Sequence, residues 1–318
     1  MELLNISGLS TGFRTPAGMV LAVKDLNLAV EAGRILGLVG ESGCGKTVTA
    51  LSVLNLVPPP GAILSGKILF EGTDLLTLPP SAMRAIRGAR ISMIFQEPMT
   101  ALNPVFTVGN QIGEVLTAHL QMTRQDALDR SVELLRSVGI PSPEKRVHEY
   151  PHQLSGGMRQ RVMIAMAIAC RPSLILADEP TTALDVTIQA HILELLAQIQ
   201  VEMGMAMVLV THDLGLIAER AHRVAVMYAG RIVEEADTAE LFSRPLHPYT
   251  RGLLASLPRP GETKRTRLRT IQGTVPQLAD LPSGCRFEPR CDIRAEQCDT
   301  EPELIEVSPG HRVRCWKA

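Results

Sequence analysis

The sequence is poor in aromatic residues, in net charge and in long apolar runs. Aromatic residues make up 3% of the 318 positions and hydrophobic residues 45%, which predicts a core of aliphatic side chains. Lys plus Arg number 32 and Asp plus Glu 33, so the net charge of −1 gives no basic surface of the kind that binds nucleic acid. No stretch approaches the ~18–20 apolar residues needed to span a bilayer.

The first residues, MELLN, lack the basic start and apolar segment of a secretory signal peptide. We therefore expect the chain to stay in the cytosol, where disulfides are rare. Its six cysteines then need an explanation other than cross-linking.

The most informative stretch runs from Arg34 to Thr47. Its apolar part, 35–39, predicts a buried strand, and a helix is predicted at 48–56. Between them lies the pattern G-x-x-x-x-G-K-[ST], whose backbone N–H groups converge on a phosphate. Lys46 can reach the outer phosphates, and the Thr47 hydroxyl can bind Mg²⁺. The predicted phosphate loop consists of Gly40, Glu41, Ser42, Gly43, Cys44, Gly45, Lys46 and Thr47.

Cys44 lies inside this loop, just before the predicted helix. A helix N-terminus can lower the pKa of a thiol. We therefore expect alkylation of Cys44 to block nucleotide binding, and bound nucleotide to protect the thiol.

Strands and helices alternate from 34 to 228, which predicts an α/β fold with a largely parallel sheet. Residues 1–33 are typical of short strands. Thr107 and Thr123 are candidate caps of helices in an insert that extends to about 170. Prolines recur from Pro258 onward, and four of the six cysteines lie there, so we expect a domain boundary near 235–245.

Two further stretches could complete a nucleotide site. An apolar strand ends in Asp178 and Glu179, where Asp178 would hold Mg²⁺ and Glu179 would polarise an attacking water. Without the phosphate loop, a solvated acidic pair would be the better interpretation. Ser155, Gly156 and Gly157 begin a helix whose first N–H groups could bind an anion, although any helix start satisfies this pattern.

These motifs, in this order, resemble the ATP-binding subunits of ABC transporters over nearly the full chain. The motifs are the phosphate loop 40–47, Gln96 at a strand end, LSGG at 154–157, Asp178-Glu179, Ala183-Leu184-Asp185 and His212. The resemblance implies a P-loop NTPase (RecA-like) core with an antiparallel β subdomain and a small cysteine-containing extension. The implied nucleotide-binding domain covers 1–240, with a helical insert at about 97–170, and the extension covers 241–318.

The resemblance also implies roles for individual residues. Gln96 would sense the γ-phosphate and Mg²⁺ and link the insert to a membrane partner. His212 would contact the γ-phosphate, and Asp185 would communicate across a dimer. Phe13 is the candidate for stacking on adenine, with core packing as the alternative. Ser155, Gly156 and Gly157 would close the site of a second chain, so that two chains hold ATP head to tail.

Two further stretches narrow the resemblance to one subgroup of these ATP-binding subunits. The sequence HPYT at 247–250 and the sequence IFQEPMTALNP at 94–104 are similar to ATPases of dipeptide, oligopeptide and nickel importers. This subgroup implies peripheral attachment to the cytoplasmic face of the cell (inner) membrane. The implied partners are a second ATPase subunit, either a paralogue or an identical chain, two transmembrane permeases and an extracytoplasmic solute-binding protein. The cargo stays open between peptides, nickel and a glutathione-like solute.

The tail also holds Cys285, Cys291, Cys298 and Cys315 within 31 residues. Four thiols in a cytosolic chain suggest a metal site, although the spacing differs from common zinc sites. Resemblance to some peptide-importer ATPases implies a [4Fe–4S] cluster, while zinc and free thiols stay open.

Other features leave alternatives open. The basic run of Lys264, Arg265, Arg267 and Arg269 is either a solvated linker or a contact with lipid or the membrane subunit. A soluble ABC ATPase without transport, or a metal- or redox-sensing module, would be the alternative function.

Overall fold

The computed structural model describes residues 1–16, 18–181, 185–257 and 271–318. They form two compact units. Unit I consists of Met1, Glu31–Arg34 and Thr77–Val210, and unit II of Glu2–Val30, Ile35–Leu76 and Thr211–Ala318. The basic run at 264–269 and the predicted motif residues 183 and 184 lie outside the described residues.

The elements follow in chain order. The strands are β1 (Glu2–Thr15), β2 (Gly18–Glu31), β3 (Ile35–Val39), β4 (Gly61–Phe70), β5 (Thr73–Asp74), β6 (Ile91–Ile94), β7 (Leu174–Asp178), β8 (Ala206–Thr211), β9 (Arg223–Tyr228), β10 (Arg231–Asp237), β11 (Ile305–Ser308) and β12 (His311–Val313). The α-helices are α1 (Lys46–Val53), α2 (Pro80–Ile86), α3 (Pro98–Ala101), α4 (Val108–Leu120), α5 (Arg124–Ser137), α6 (Pro143–Arg146), α7 (Gly156–Ile168), α8 (Val186–Met203), α9 (Leu214–Arg220), α10 (Thr238–Ser243) and α11 (Pro248–Ala255).

In unit I, β6, β7 and β8 pair in parallel, with Ile91 opposite Leu174 and Leu174 opposite Ala206. These strands are buried along their length, as parallel strands covered on both faces are. The insert is helical as predicted. The Thr107 and Thr123 hydroxyls cap α4 and α5 by accepting hydrogen bonds from backbone N–H groups three residues on.

In unit II, one sheet has the strand order β2-β1-β4-β5, and β1 runs antiparallel to β4. This is the predicted antiparallel subdomain. The expectation of short strands before Gly33 is wrong, because β1 and β2 each have 14 residues. Register shifts between Ser7 and Thr11 let β1 continue past an irregularity in its pairing with β4.

The second set of strands in unit II has the order β11-β12-β10-β9-β3. β3 and β9 pair in parallel, whereas β9, β10, β12 and β11 pair antiparallel. β11 and β12 come from the tail and were not predicted. The tail thus continues a sheet that contains the strand leading into the phosphate loop.

The core is aliphatic as predicted, and unit II also contains an aromatic cluster. Tyr228 packs against Tyr249 with ring centres 4.7 Å apart and against Phe287 at 5.2 Å. Within the part of the chain that the structure describes, no helix combines the length and the apolar character needed to cross a membrane.

Candidate active site

The phosphate loop connects β3 to α1 in unit II. Gly40 and Gly45 have positive φ values of 154° and 106°. A Cβ at Gly40 would collide with the Met227 carbonyl oxygen, and one at Gly45 would lie 2.5 Å from the Ala22 carbonyl oxygen. Both positions therefore require glycine, because the loop backbone lies directly against neighbouring backbone.

Lys46 begins α1 and is buried. Its ammonium donates hydrogen bonds to the carbonyl oxygens of Gly40 at 2.8 Å and Glu41 at 3.1 Å. The ammonium thus lies within the curve of the loop. Phosphate oxygens can replace these carbonyl acceptors, which fits the predicted role of this lysine.

Cys44 lies in the interior of unit II. Its side chain is fully buried, and burial raises the pKa of the thiol above its ordinary value, although the nearby Lys46 ammonium opposes the shift. α1 begins two residues later, at Lys46. The pKa of the thiol is therefore raised where a helix N-terminus would lower it, because exclusion of water outweighs the positive neighbours. The expected block of nucleotide binding by alkylation stays a prediction.

His212 lies next to the first residues of the loop. It follows β8 and borders a small cavity of about 90 Å³. The cavity is lined by Val39, Gly40, Glu41, His212, Leu214 and Leu253. Unit II therefore brings His212 and the start of the phosphate loop together, while a contact of His212 with the γ-phosphate stays a prediction.

Phe13 lies near the end of β1, paired with Gly61 of β4. Its half-buried ring occupies the space over Gly61, where an added Cβ would lie 2.6 Å from Phe13 Cε1. This position is compatible with packing and leaves stacking on adenine a prediction.

In unit I, Glu179 and Gln96 contact each other. Asp178 ends β7 and is buried, and Glu179 follows in the left-handed region with φ 44°. The Glu179 N–H donates to the Val210 carbonyl oxygen at 2.9 Å. The Gln96 side-chain amide donates to the Glu179 carboxylate at 2.9 Å. A non-glycine residue rarely adopts such a φ, and such residues cluster at functional sites.

The Ser155 hydroxyl caps α7 and accepts a hydrogen bond from the Met158 N–H at 3.3 Å. Ser155 and Gly156 are exposed, which suits an anion site at the helix start. Gly157 is buried, and an added Cβ there would lie 3.0 Å from Ile188 of α8. This glycine therefore also allows close packing between helices, which the sequence analysis missed. Asp185 occupies the N-cap position of α8 and is exposed.

The four tail cysteines of unit II form no disulfides. Burial raises the pKa of Cys285 to about 11, and the nearby Cys298 and Cys315 add to the shift. The pKa of Cys291 is also raised, chiefly by burial and further by Cys298 and Cys315. Cys285 and Cys291 therefore both lie close enough to Cys298 and Cys315 to interact with their charges.

Among the described residues, no three His, Cys, Asp or Glu side chains converge closely enough to hold a single metal ion. The tail thiols thus do not form a ready zinc site, whose four ligands each lie ~2.3 Å from one ion. The [4Fe–4S] cluster implied by the resemblance stays a prediction.

Glu41 has two contacts with the tail that the sequence analysis did not predict. Its carboxylate pairs with the Arg290 guanidinium through two hydrogen bonds, and its N–H donates to the Tyr249 phenol oxygen. In the sequence, Tyr249 is notable only as part of the HPYT motif. No sequence pattern distinguishes Arg290 from the other arginines.

Comparison with known proteins identifies the family to which these motifs belong. Residues 23–182 match the family model for ABC transporters, and residues 233–298 match the model for the C-terminal region of oligopeptide/dipeptide transporters. The chain is 51% identical over 316 residues to the dipeptide transport ATP-binding protein DppD of Haemophilus influenzae, covering 99% of this chain and 95% of that protein. It is 48% identical over 316 residues to DppD of Escherichia coli, covering 99% and 96%.

Solved structures agree with the fold. The chain is similar to the ATP-binding cassette MJ0796, solved as a dimer in a post-hydrolysis state with ADP and Pi. The TM-score is 0.67 at 26% identity, and the match covers 74% of this chain and 98% of that one.

Proposed function

This chain belongs to the ABC transporter family, and from that premise we propose a role for each of its site residues. It is the ATP-hydrolysing subunit of a peptide importer. The observation that carries this function is a phosphate loop whose glycines the surrounding backbone requires, in a chain about half identical to peptide-import ATPases over nearly its full length.

The phosphate loop binds the triphosphate of ATP. The backbone N–H groups from Ser42 to Thr47 surround the phosphates, and Lys46 exchanges its carbonyl partners for phosphate oxygens. His212 contacts the γ-phosphate, which its position beside Gly40 and Glu41 supports. Phe13 stacks on the adenine.

The oxygen donors of Thr47, Asp178 and Gln96 suit Mg²⁺, which prefers hard oxygen ligands. When bound, Mg²⁺ neutralises charge on the phosphate oxygens. Glu179 orients the attacking water and accepts its proton. Its hydrogen bond with Gln96 supports this role, because the amide fixes the direction of the carboxylate.

The start of α7 contacts the nucleotide bound by a second ATPase subunit, through Ser155, Gly156 and Gly157. Asp185 communicates across the dimer. The exposed start of α7 supports this proposal. The dimer is attached to the cytoplasmic face of the cell membrane through two permeases, with Gln96 linking the helical insert to them. A solute-binding protein delivers di- or oligopeptides.

A purified Glu179→Gln chain tests the dimer, because loss of the water-orienting carboxylate traps ATP. We expect ATP to convert this variant from monomer to dimer in light scattering. Adding Ser155→Arg should abolish the dimer while ATP binding by the monomer persists. Thr123→Arg in the same background removes a similar helix cap from α5 and adds the same charge, so it should leave the dimer intact. A dimer that survives Ser155→Arg would contradict the proposed role of α7.

We further propose that residues 241–318 form an extension of a nucleotide-binding domain at 1–240. Within this extension, a [4Fe–4S] cluster held by Cys285, Cys291, Cys298 and Cys315 links the segments of the tail. Iron and sulfide analysis of anaerobically purified chain should find about four of each per chain. Cys→Ser at each of the four positions should remove both, whereas Cys170→Ser should not. Zinc, or metal retained in all four variants, would exclude the cluster.

A further inference from the structure

Arg290 forms an ion pair with the phosphate loop. Its guanidinium donates to both carboxylate oxygens of Glu41, from Nη1 at 2.6 Å and from Nη2 at 3.0 Å. The side chain of Arg290 is 4% exposed and that of Glu41 31%. Two parallel hydrogen bonds from a buried guanidinium fix the direction of a carboxylate as well as its charge.

The Arg290 guanidinium is itself held in place by the tail. Its Nε donates to the Gln272 carbonyl oxygen at 3.0 Å, and its Nη2 reaches that of Gly273 at 3.3 Å. Its charged end lies 5.8 Å from the ring centre of Tyr228. The geometry of the ion pair is therefore set by the tail rather than by the loop.

Glu41 is held a second time through its backbone. Its N–H donates to the phenol oxygen of Tyr249 at 2.8 Å. Tyr249 is fully buried against Tyr228 and Phe287. Backbone and side chain of one loop residue are thus both anchored to the C-terminal part of the chain.

These contacts bear directly on phosphate binding. Glu41 immediately precedes the stretch Ser42–Thr47, whose N–H groups must converge on an anion. A carboxylate at this position would repel a triphosphate if its charge were free, and pairing with Arg290 neutralises it. The ion pair therefore fixes the beginning of the loop and removes an opposing charge.

Arg290 belongs to a short turn between two of the tail thiols. The Glu288 N–H donates to the Cys285 carbonyl oxygen at 3.0 Å, and the Cys291 N–H donates to that of Glu288 at 3.1 Å. Cys285 is tied in turn to Cys298 by a backbone hydrogen bond of 2.8 Å. Arg290 is thus carried by the segment whose ends are Cys285 and Cys291.

We propose that Arg290 is a positioning residue for the phosphate loop, through which the cysteine-bearing tail sets the affinity of the loop for ATP. This inference rests on the proposed function, in which the loop binds ATP. Arg290 touches no nucleotide and acts only through Glu41.

The test measures the Kd for MgATP by calorimetry with purified full-length chain. Arg290→Gln should raise the Kd about tenfold, because Glu41 keeps its charge and loses its partner. Glu41→Gln/Arg290→Gln removes both charges and should return the Kd to within about threefold of wild type. Arg294→Gln is the matched control. Arg294 pairs with Glu288 of the same turn and is 66% exposed, whereas the ion pair with Glu41 is made by Arg290. Its Kd should not change.

An arginine that only stabilises the tail would give a different pattern. The double variant would then bind ATP as weakly as Arg290→Gln or more weakly, which would overturn the proposal, as would a normal Kd for Arg290→Gln. If Arg290→Gln does not fold, the double variant is compared with Glu41→Gln. A ratio of Kd values near one supports the proposal, and a tenfold ratio overturns it.

Lys46→Ala separates this proposal from the function on which it rests. If wild type and Lys46→Ala bind ATP equally, the proposed function itself fails. If Lys46→Ala loses ATP and Arg290→Gln does not, only the assignment of Arg290 fails.

Discussion

The side-chain amide of Gln96 donates a hydrogen bond of 2.9 Å to the Glu179 carboxylate, although 83 residues separate them in the chain. Gln96 follows β6 and Glu179 follows β7, and these strands pair in parallel. The carboxyl ends of neighbouring parallel strands meet at one edge of a sheet, where α/β proteins bind ligands. The pair thus holds a carboxylate in a fixed direction before any substrate is bound.

Glu179→Gln should keep ATP binding and lower the rate of hydrolysis by about 10²–10⁴-fold, because glutamine cannot accept a proton from water. Steady-state ATPase rates and the Kd for ATP check this. Glu202→Gln, an exposed change on α8 with the same chemistry, serves as control and should leave both quantities unchanged. Normal hydrolysis by Glu179→Gln would remove Glu179 from its proposed role.

Gly40→Ala should destabilise the nucleotide-free chain more than Gly43→Ala does. Both glycines have positive φ, so either alanine costs about 1–3 kcal/mol in backbone strain. An added Cβ at Gly40 also meets the Met227 backbone, whereas Gly43 has open space around it. Thermal unfolding without nucleotide measures the difference. Equal loss of stability in the two variants would show that the close backbone approach at Gly40 carries no cost.

Cys44 should resist alkylation in the folded chain, with or without ATP, because its thiol is fully buried and its pKa is raised by burial. Mass spectrometry after a timed reaction with iodoacetamide at pH 8 locates the labelled residues. The half-buried Cys170 should react faster than Cys44, and unfolding in urea should make both reactive. Rapid labelling of Cys44 that ATP prevents would restore the interpretation first drawn from the sequence.

His247 should make the chain less stable in mild acid. Burial, aided by the Arg251 charge, lowers the pKa of His247 from 6.5 to about 3. As the pH falls below about 6.5, His247 is therefore protonated in the unfolded chain but stays neutral in the folded chain. The stability that the neutral imidazole contributes is complete above pH 6.5 and falls by up to about 1.4 kcal/mol per pH unit as the pH drops towards 3.

His247→Asn isolates this effect. Asparagine can still accept the Tyr249 N–H that His247 Nδ1 accepts at 3.1 Å, but it does not titrate. Urea unfolding at pH 7, 6 and 5 should therefore show a shallower pH dependence for the variant, whatever its stability at pH 7. The same pH dependence of the free energy of unfolding in wild type and His247→Asn would contradict the proposed effect of His247.

Several features of this protein were determined by the sequence alone. The phosphate loop and the helix caps Thr107 and Thr123 are found where the local pattern predicts them. These features depend on neighbours a few residues away, through backbone φ and N–H partners that only certain residue types satisfy. The order of the motifs was likewise sufficient to indicate the family.

The tertiary structure alone decided the rest. The Arg290–Glu41 pair joins residues 249 positions apart, and neither residue type is unusual where it stands. The Cys44 thiol has a raised rather than a lowered pKa because the folded chain excludes water from it, which no local pattern encodes. The tail strand β11 pairs with β12, and β12 pairs with β10. β10 lies far from β12 in the sequence, and β11 and β12 are too short to give a periodic signal. Burial and long-range pairing depend on the whole fold, since they are set by which distant segments meet.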